Sequence, residues 1–438
     1  MKKIISLFCA AAVLLTAAGC DTPEESAATT TTTTAPEAAD TAEKAETTPQ
    51  ATEEEEIEIP DDMEYVIENG ITERMKALST YVKGNRARLA KVFKKAQNGE
   101  EITVAYLGGS ITQGSSAERD ELCYASLTTA WLAEKFPEAK INCVRAGIGA
   151  TGSYIGVHRA RRDVTSKDPD LVFVDFSVND TTEHTERNTN SYDSLIRLLW
   201  NADSSPAIVT IAMTMEDGTS FQRYHSEICE AYQIPMISYR EAILDVIGNG
   251  HIVWTDISDD NIHPNTVGHG VLTEIITAYL QDVIDELDTI DTSVESDLST
   301  PYTDNLYENA DLVTPENTAP VDMTGWETQS TNFGNFGDNW SVRSNDGSFE
   351  GVNPLKFEVE AKNIGIFYGK MTAKGGTFDV VVDGTVAKTI NSDFPGGWGS
   401  YVEAEEVISF DETGTHTVEI VPHTGDKAVI NISAIAIS

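Results

Sequence analysis

Hydrophobic and polar positions follow different patterns in two parts of the chain. Between about residues 62 and 287, continuous apolar runs such as 102–107, 171–176 and 207–213 alternate with amphipathic stretches of helical period. Continuous apolar strands separated by helices indicate a parallel sheet covered on both faces. This region therefore predicts a three-layer α/β/α fold with a parallel sheet. The predicted helices cover residues 85–97, 123–136, 156–164, 192–200, 221–232, 240–247 and 267–287, and the remaining strands 140–144 and 235–238.

The pattern changes after residue 287. Residues 288–320 are rich in Asp, Thr, Ser, Asn and Pro, which predicts a linker or a surface strap. Residues 321–438 show short alternating segments, most clearly 355–359, 378–382 and 416–420. Asp383-Gly384, directly after one of them, is a hairpin signal. We therefore predict a C-terminal all-β sandwich domain.

The first 20 residues predict export. A basic start precedes an apolar stretch over residues 4–15, and the segment ends in small residues and Cys20. This is the layout of a signal peptide and is too short for a stable membrane span. The Gly-Cys end resembles a bacterial lipobox, although Ala17 stands where Leu is more usual. The resemblance implies a lipid on Cys20 that anchors the protein to the extracellular face of the membrane; cleavage with full secretion is the alternative.

Residues 21–61 predict a disordered, acidic, Thr-rich linker. They include a Thr run at 29–34 and a Glu run at 53–56, and they contain no apolar period that a fold would bury. Like charges extend such a chain. The segment therefore fits a spacer between the anchor and a folded domain that begins near residue 62.

Charge and cysteine content narrow the function. With 71 Asp and Glu against 30 Lys and Arg, the formal net charge is −41. Such a surface repels nucleic acid and anionic lipid, and leaves neutral sugars, peptides and small esters as substrates. Cys123, Cys143 and Cys229 lack metal-ligand spacing and are interpreted as buried small side chains, while a Cys123–Cys143 disulfide stays open.

Four segments at the ends of predicted strands carry the groups that serine acyl transfer needs. Ser110 lies in Gly-Gly-Ser-Ile-Thr, where a strand gives way to a helix, and a Gly-rich loop at 145–152 follows the second strand. Asn179 follows the third strand, and Asp260 precedes His263 by three residues. A nucleophile, a base, an acid that orients it and oxyanion donors are the parts of such a site. Asp256 and Asp259 are rivals for the acid role, and spacing favours Asp260.

Together these segments resemble the SGNH (GDSL-type) hydrolase superfamily over roughly residues 85–285. The resemblance implies Ser110 as nucleophile, His263 as general base and then acid, and Asp260 as the residue that orients His263. It also implies an oxyanion hole of the Ser110 N–H, the Gly149 N–H and the Asn179 side chain, with Gly147 or Ala150 as alternatives to Gly149. No metal or organic cofactor is needed.

Two positions depart from the family pattern, and several basic residues near the motifs have other interpretations. Gly109 stands where the family usually has Asp, and Arg145 stands where many relatives have Asn. The support of the Ser110 loop must then come from elsewhere. We expect His269 on a helix surface, and His158 and His225 in structural or solvent-facing positions. Three arginines that follow the Gly-rich loop are expected to solvate a helix or to pair with acidic side chains. These are Arg159, Arg161 and Arg162.

The substrate is narrowed by the same resemblance. Two stretches, 84–114 and 224–240, are similar to exported bacterial SGNH esterases that act on carbohydrate, which implies an acetylated polysaccharide or oligosaccharide as substrate. Trp340 and Trp398 are candidates for stacking on sugar rings, with Trp326, Phe333 and Phe336 beside them. The leading hypothesis is a carbohydrate O-acetylesterase. The alternatives are a lipid or thioester hydrolase and a non-catalytic surface carbohydrate-binding protein.

Overall fold

The computed structural model describes residues 58–425 and 428–438. The predicted signal peptide, Cys20 and nearly all of the predicted linker at 21–61 lie outside the described residues. Within the described ranges, no helix has both the length and the apolar content to cross a membrane.

The first sheet has six strands in the order β1-β6-β5-β4-β2-β3. Every neighbouring pair is parallel except the edge pair β1–β6, which is antiparallel. The α/β prediction is confirmed, but the three-residue edge strand carries too little pattern to be recognised. The strands are β1 Thr80–Val82, β2 Ile102–Gly108, β3 Ile141–Gly147, β4 Leu171–Asp175, β5 Ala207–Ala212 and β6 Met236–Ser238.

Helices cover both faces of this sheet. Along β2, Val104 and Tyr106 enter one hydrophobic core, which α1, α2, α4, α8 and α9 cover. Ala105 and Leu107 enter a second core on the other face, which α5, α6 and α7 cover. A strand buried on both faces explains the continuous apolar run. The helices are α1 Glu73–Ser79, α2 Ala87–Gln97, α3 Ser110–Gln113, α4 Tyr124–Lys135, α5 Ser153–Asp163, α6 Thr185–Trp200, α7 Gln222–Tyr232, α8 Tyr239–Gly248 and α9 Thr266–Asp285.

The C-terminal part is all antiparallel β-structure, in the order β12-β11-β13-β10-β14-β9-β8, with β7 on β14. One hydrophobic core lies on this sheet, and rings from strands that are not directly paired meet in it: Trp340 with Phe357, and Tyr368 with Phe378. The predicted all-β domain is confirmed. Its strands are β7 Asp311–Val313, β8 Glu327–Phe333, β9 Gly337–Ser344, β10 Leu355–Lys370, β11 Thr377–Val382, β12 Thr385–Asn391, β13 Tyr401–Pro422 and β14 Ala428–Ile437.

The segment at 288–320 is more than a connection. Leu298, Tyr307 and Leu312 are buried in the second hydrophobic core, and β7 adds a strand to β14. Phe367 of β10 enters the same core and contacts the rings of Tyr154 and His158 on α5. The α/β part and the β-part therefore share a hydrophobic core.

The described cysteines, Cys123, Cys143 and Cys229, are all free thiols, so the Cys123–Cys143 disulfide does not form. Cys123 and Cys229 are buried, as the apolar interpretation requires, whereas Cys143 is exposed. That interpretation is wrong for Cys143, because it lies on β3, which is the edge strand of the sheet.

Candidate active site

Ser110 lies at the carboxyl edge of the parallel sheet. Strand β2 ends at Gly108, and α3 begins at Ser110. The Gly108 carbonyl accepts a hydrogen bond from Ile148 N–H at 3.0 Å, so the turn is tied to the loop after β3. The sequence thus places a hydroxyl where open α/β sheets bind their ligands.

Ser110, His263 and Asp260 form one hydrogen-bonded series. Ser110 Oγ lies 2.8 Å from His263 Nε2, and His263 Nδ1 lies 2.8 Å from Asp260 Oδ2. These distances suit proton transfer from the hydroxyl to the imidazole, with the carboxylate fixing the ring. The geometry therefore brings together the three residues that the sequence motifs single out.

The Asp260 carboxylate is held within its own loop. Its Oδ1 accepts hydrogen bonds from the N–H groups of Ile262 and His263, both at 2.7 Å. Partial burial acts to raise the pKa of Asp260, but these bonds and the His263 imidazole outweigh it and lower that pKa. Asp256 instead accepts from Val253 N–H, and Asp259 pairs with Asn265. Neither rival carboxylate is hydrogen-bonded to His263 in the described chain.

Asn179 explains why position 109 is glycine. A Cβ built on Gly109 would lie 2.1 Å from Asn179 Oδ1, which is far inside contact distance. The Asn179 carboxamide therefore occupies the space next to the backbone of the serine turn. An Asp side chain at position 109 would displace it.

Gly149 lies beside Ser110, but its N–H already has a partner. A Cβ built on Gly149 would lie 3.8 Å from Ser110 Cβ. The Gly149 N–H donates to Gln113 Oε1 at 2.7 Å. Arg145, the second departure from the family pattern, donates to the Gln113 backbone carbonyl at 2.6 Å. Arg145 on β3 and Gly149 in the loop after it thus both join this part of the chain to the end of α3.

Arg159 is a supporting residue that sequence reasoning missed. Its side chain is fully buried and donates to the carbonyl of Gly108 at 2.9 Å and to that of Ala146 at 2.7 Å. It also pairs with Asp163 at 3.1 Å. Burial lowers the pKa of Arg159, and the Asp163 charge opposes that shift. The run of arginines is typical of a solvated helix face. Arg159 differs from Arg161 and Arg162 because its side of α5 faces the sheet, which the sequence alone does not show.

A buried polar network lies beneath the serine turn. Thr112 Oγ1 lies 2.9 Å from Tyr124 Oη and 3.4 Å from Asp175 Oδ2. Burial raises the pKa of Asp175 to about 7, against smaller opposing effects of hydrogen bonds from Thr112 and the Ser177 N–H. Asp175 Oδ1 has no hydrogen-bond partner in the described chain. This carboxyl group therefore holds a proton far more readily than an exposed Asp.

His269 belongs to this buried region, so its predicted surface position is wrong. Its Nδ1 accepts from Tyr124 N–H at 3.3 Å, and its Nε2 lies 3.2 Å from the Ser115 carbonyl. Burial lowers the pKa of His269, which favours the neutral ring. Helix α9 is apolar around most of its circumference, so most of its faces are buried. The face that carries His269 packs against α4.

A second buried pair follows Asn179 directly. Asp180 Oδ2 lies 2.9 Å from His225 Nε2, and Asp180 Oδ1 accepts from Ser153 N–H at 2.8 Å. Tyr192 stacks on His225 with ring centroids 3.6 Å apart. His225 is thus structural, and so is His158, whose Nδ1 lies 2.8 Å from the Tyr154 carbonyl. The pair fixes the strand end from which Asn179 projects.

A cleft of about 500 Å³ adjoins Asn179. Its walls come from both parts of the chain, including Asn179, Arg187 and Asn188 on one side and Trp398 and Glu403 on the other. Trp398 is 72 % exposed and stacks on Tyr401. The cleft is polar on most sides and has one aromatic surface open to solvent.

The prediction for Trp340 is wrong. Trp340 is 1 % exposed and packs against Phe357 inside the β-domain. Alternation along β9 directs its ring inward, so it has no face for a ligand. Trp326 and Phe336 are buried as well. In the described residues, no three His, Cys, Asp or Glu side chains are grouped as a metal site requires.

Comparison with known proteins agrees with this geometry. Residues 106–271 match the GDSL-like lipase/acylhydrolase family. The chain is similar to the crystal structure of a two-domain esterase (CEX) active on acetylated mannans, with 30 % identity and a TM-score of 0.73 over 81 % of this chain and 96 % of that one. The structure of that esterase co-crystallised with mannopentaose gives 29 % identity and a TM-score of 0.72, over 81 % and 95 % of the two chains.

No curated protein sequence matches this chain. The two-domain likeness nevertheless extends over both the α/β part and the β-part, and the family match, which ends within α9, spans all four motif segments. The resemblance seen in the sequence is confirmed: the chain belongs to the GDSL-like lipase/acylhydrolase family and is a carboxylic ester hydrolase.

Proposed function

We propose that this hydrolase removes O-acetyl groups from a polysaccharide or oligosaccharide outside the cell, with acetylated mannan as the first substrate to test. The observation that carries the chemistry is the continuous hydrogen-bonded series Asp260–His263–Ser110. The choice of mannan rests on the similarity to the two-domain esterase active on acetylated mannans.

The proposed reaction has two acyl-transfer steps. Ser110 Oγ attacks the acetyl carbonyl carbon while His263 Nε2 takes the hydroxyl proton, and Asp260 stabilises the imidazolium that forms. The oxyanion is stabilised by donors at the Ser110 N–H, the Asn179 side chain and the Gly149 N–H. The bond between the acetyl carbonyl carbon and the sugar oxygen then breaks, and His263 returns the proton to that oxygen, which leaves as a sugar hydroxyl. Water attacks the acetyl-serine by the same route and releases acetate.

The cleft beside Asn179 supports a carbohydrate rather than a lipid substrate. A lipid or thioester hydrolase needs a broad apolar trough for its acyl or acyl-carrier chain. The walls here include Glu183, His184, Arg187, Glu403 and Glu405. Hydroxyl-rich sugars form hydrogen bonds with such groups, and the exposed Trp398 ring offers an apolar surface for a sugar face.

A comparison of acetate release tests the esterase proposal. The parent protein and Ser110→Ala are incubated with acetylated mannan and acetylated xylan oligosaccharides. We expect release by the parent and a loss of at least 10³-fold in the variant. No release by the parent on either substrate would refute the carbohydrate acetylesterase proposal. Equal release by both proteins would remove Ser110 as nucleophile.

The cleft assignment has a separate test. Trp398→Ala should raise KM for acetylated mannan at least fivefold more than it raises KM for 4-nitrophenyl acetate, because only the polymer reaches the aromatic surface. Tyr81→Ala is the control, since Tyr81 is also exposed but lies on the edge strand β1. An equal rise in both KM values would place the sugar elsewhere.

The cell-surface location rests on the N-terminal pattern alone. In a bacterial host, Cys20→Ala should abolish incorporation of labelled palmitate and move the protein from the membrane fraction to the medium or periplasm. Unchanged labelling would refute lipid attachment at Cys20.

A further inference from the structure

Gln113 occupies one of the three donors that the proposed oxyanion hole requires. Its side-chain oxygen accepts the Gly149 N–H at 2.7 Å, a normal strong distance for an amide pair. A Cβ built on Gly149 would lie 3.1 Å from Gln113 Oε1 and 3.8 Å from Ser110 Cβ. The Gln113 carboxamide and the nucleophile thus share the space next to Gly149.

The backbone of Gln113 is fixed, whereas its side chain is held at one point. The Gln113 N–H donates to the Gly109 carbonyl at 3.0 Å, and Arg145 Nη2 donates to the Gln113 carbonyl at 2.6 Å. In the described chain, the bond to Gly149 is the one protein hydrogen bond that the Gln113 carboxamide makes. The side chain is half-buried, so rotation would expose it to water without disturbing α3.

We infer that Gln113 is a gate on the oxyanion hole: its carboxamide oxygen takes the place of the oxyanion in the free enzyme and leaves when the reaction needs the Gly149 N–H. The inference rests on the proposed function, which assigns Gly149 to the hole. Gln113 acts through Gly149 and is therefore a positioning residue.

The relative strengths of the hydrogen bonds that the Gly149 N–H can donate explain how the gate would work. A neutral ester carbonyl is no better an acceptor than the Gln113 amide oxygen, so the bound substrate gains nothing by displacing it. An oxyanion forms hydrogen bonds roughly twice as strong as neutral ones, so it wins the Gly149 N–H as charge develops. Interactions made only in the transition state raise kcat, whereas interactions shared with bound substrate lower KM.

Removal of the gate should therefore lower KM. In Gln113→Ala the Gly149 N–H is open to the ester carbonyl and to the oxyanion alike. We expect KM for 4-nitrophenyl acetate to fall three- to tenfold with kcat within twofold of the parent value, so that kcat/KM rises. Gln113→Asn should behave in the same way, because its amide is one methylene too short to reach Gly149 while the position stays polar.

Gln97→Ala is the matched control. Gln97 is exposed at the end of α2, and its substitution should change neither constant. Thermal unfolding of all variants checks that they fold. A second readout is inhibition by methylboronic acid, which forms a tetrahedral adduct with a nucleophilic serine. Its Ki should fall three- to tenfold in both Gln113 variants. Ser110→Ala should not bind the boronic acid, because it lacks the hydroxyl that forms the adduct.

The outcomes separate the gate from the proposed function. If the parent neither hydrolyses the ester nor binds the boronic acid, the proposed function fails. If the parent does both but kcat/KM in the folded Gln113 variants does not rise at least twofold, the gate is overturned. A fall in kcat would show that Gln113 instead holds the Gly149 loop in its productive position.

Discussion

The two sides of the candidate active site are built in different ways. The nucleophile side rests on buried groups from distant parts of the chain: Arg159 holds the end of β2, and Asp175 and Tyr124 lie beneath the serine turn. The acid–base side is one exposed loop. The Asp260 side chain is 45 % exposed, and its hydrogen bonds come from residues two and three positions along the chain.

This difference predicts that substitutions on the two sides will affect catalysis and folding stability to different degrees. A local, solvent-exposed loop can lose its side chains with little cost to folding, because no buried group is left without a partner. The nucleophile side cannot, since its polar groups are buried and depend on one another. Substitutions on the acid–base side should therefore affect activity alone, and those on the nucleophile side should affect folding as well.

His263→Ala should give the largest effect. Without the base, kcat for 4-nitrophenyl acetate should fall at least 10³-fold, or about 4 kcal/mol in activation free energy. The free energy of unfolding, measured by urea denaturation, should change by less than about 1 kcal/mol, because the hydrogen bonds of the ring go to Asp260 in its own exposed loop and to Ser110. A loss of stability above about 2 kcal/mol would show that the acid–base loop also contributes to folding, contrary to the contrast drawn between the two sides.

Acidification should mimic this substitution, because protonated His263 cannot accept the Ser110 proton. The lowered pKa of Asp260 keeps that carboxylate ionised into more acid solution than an ordinary Asp, so its own protonation is not the first cause of the loss. A pH–rate profile that stays flat into acid would argue against His263 as the base.

Gly109→Ala should reduce activity by about 10- to 100-fold, because the new methyl group would displace the Asn179 side chain, which we propose as an oxyanion donor. Gly248→Ala is the matched control, since a Cβ on Gly248 meets nothing within 4 Å. Steady-state kinetics of both variants measure the effect. If the two variants kept equal activity, Asn179 would not be the neighbour that excludes a side chain at position 109.

Arg159→Met should lower the free energy of unfolding by about 2 kcal/mol or more, because it strips two backbone carbonyls and Asp163 of a buried partner. Arg223→Met removes an Arg that is 81 % exposed and should cost under about 0.5 kcal/mol. Denaturant titration compares the two. Similar losses in both would show that the nucleophile side does not depend on its buried support.

Asp175 gives the effect on stability that depends most specifically on pH. Its pKa rises from about 4 in the unfolded chain to about 7 in the fold, so the native state binds the proton more tightly. The resulting stability is complete below pH 4 and is lost as the pH rises to 7, by up to about 1.4 kcal/mol per pH unit. Asp175→Asn should remove this slope from urea titrations at pH 4 to 7. An unchanged slope would assign the pH dependence to other groups.

The sequence was most informative where the pattern is local. The strand ends before Ser110 and Asn179 and the three-residue spacing of Asp260 and His263 follow from short motifs, and the structure joins them. Contacts between distant segments were not predictable. The sequence placed His269 on a helix surface and did not show that Arg159 is buried against the end of β2, because burial depends on which helix face meets the sheet. Trp340 and Trp398 show the same limit. Trp340 lies on β9 and its ring points into the core, whereas Trp398 lies in a loop and is exposed.

The hydrophobic core shared by α5, residues 298–312 and β10 has a practical consequence for anyone who dissects this enzyme. A gene fragment that stops near residue 287 would leave the rings of Tyr154 and His158 without the Phe367 and Tyr307 rings that cover them. The exposed apolar surface would favour aggregation over solubility. The β-domain therefore cannot be removed or exchanged without exposing part of the shared core. Fusions to other proteins should be made upstream of residue 58, with residues 58–438 kept intact.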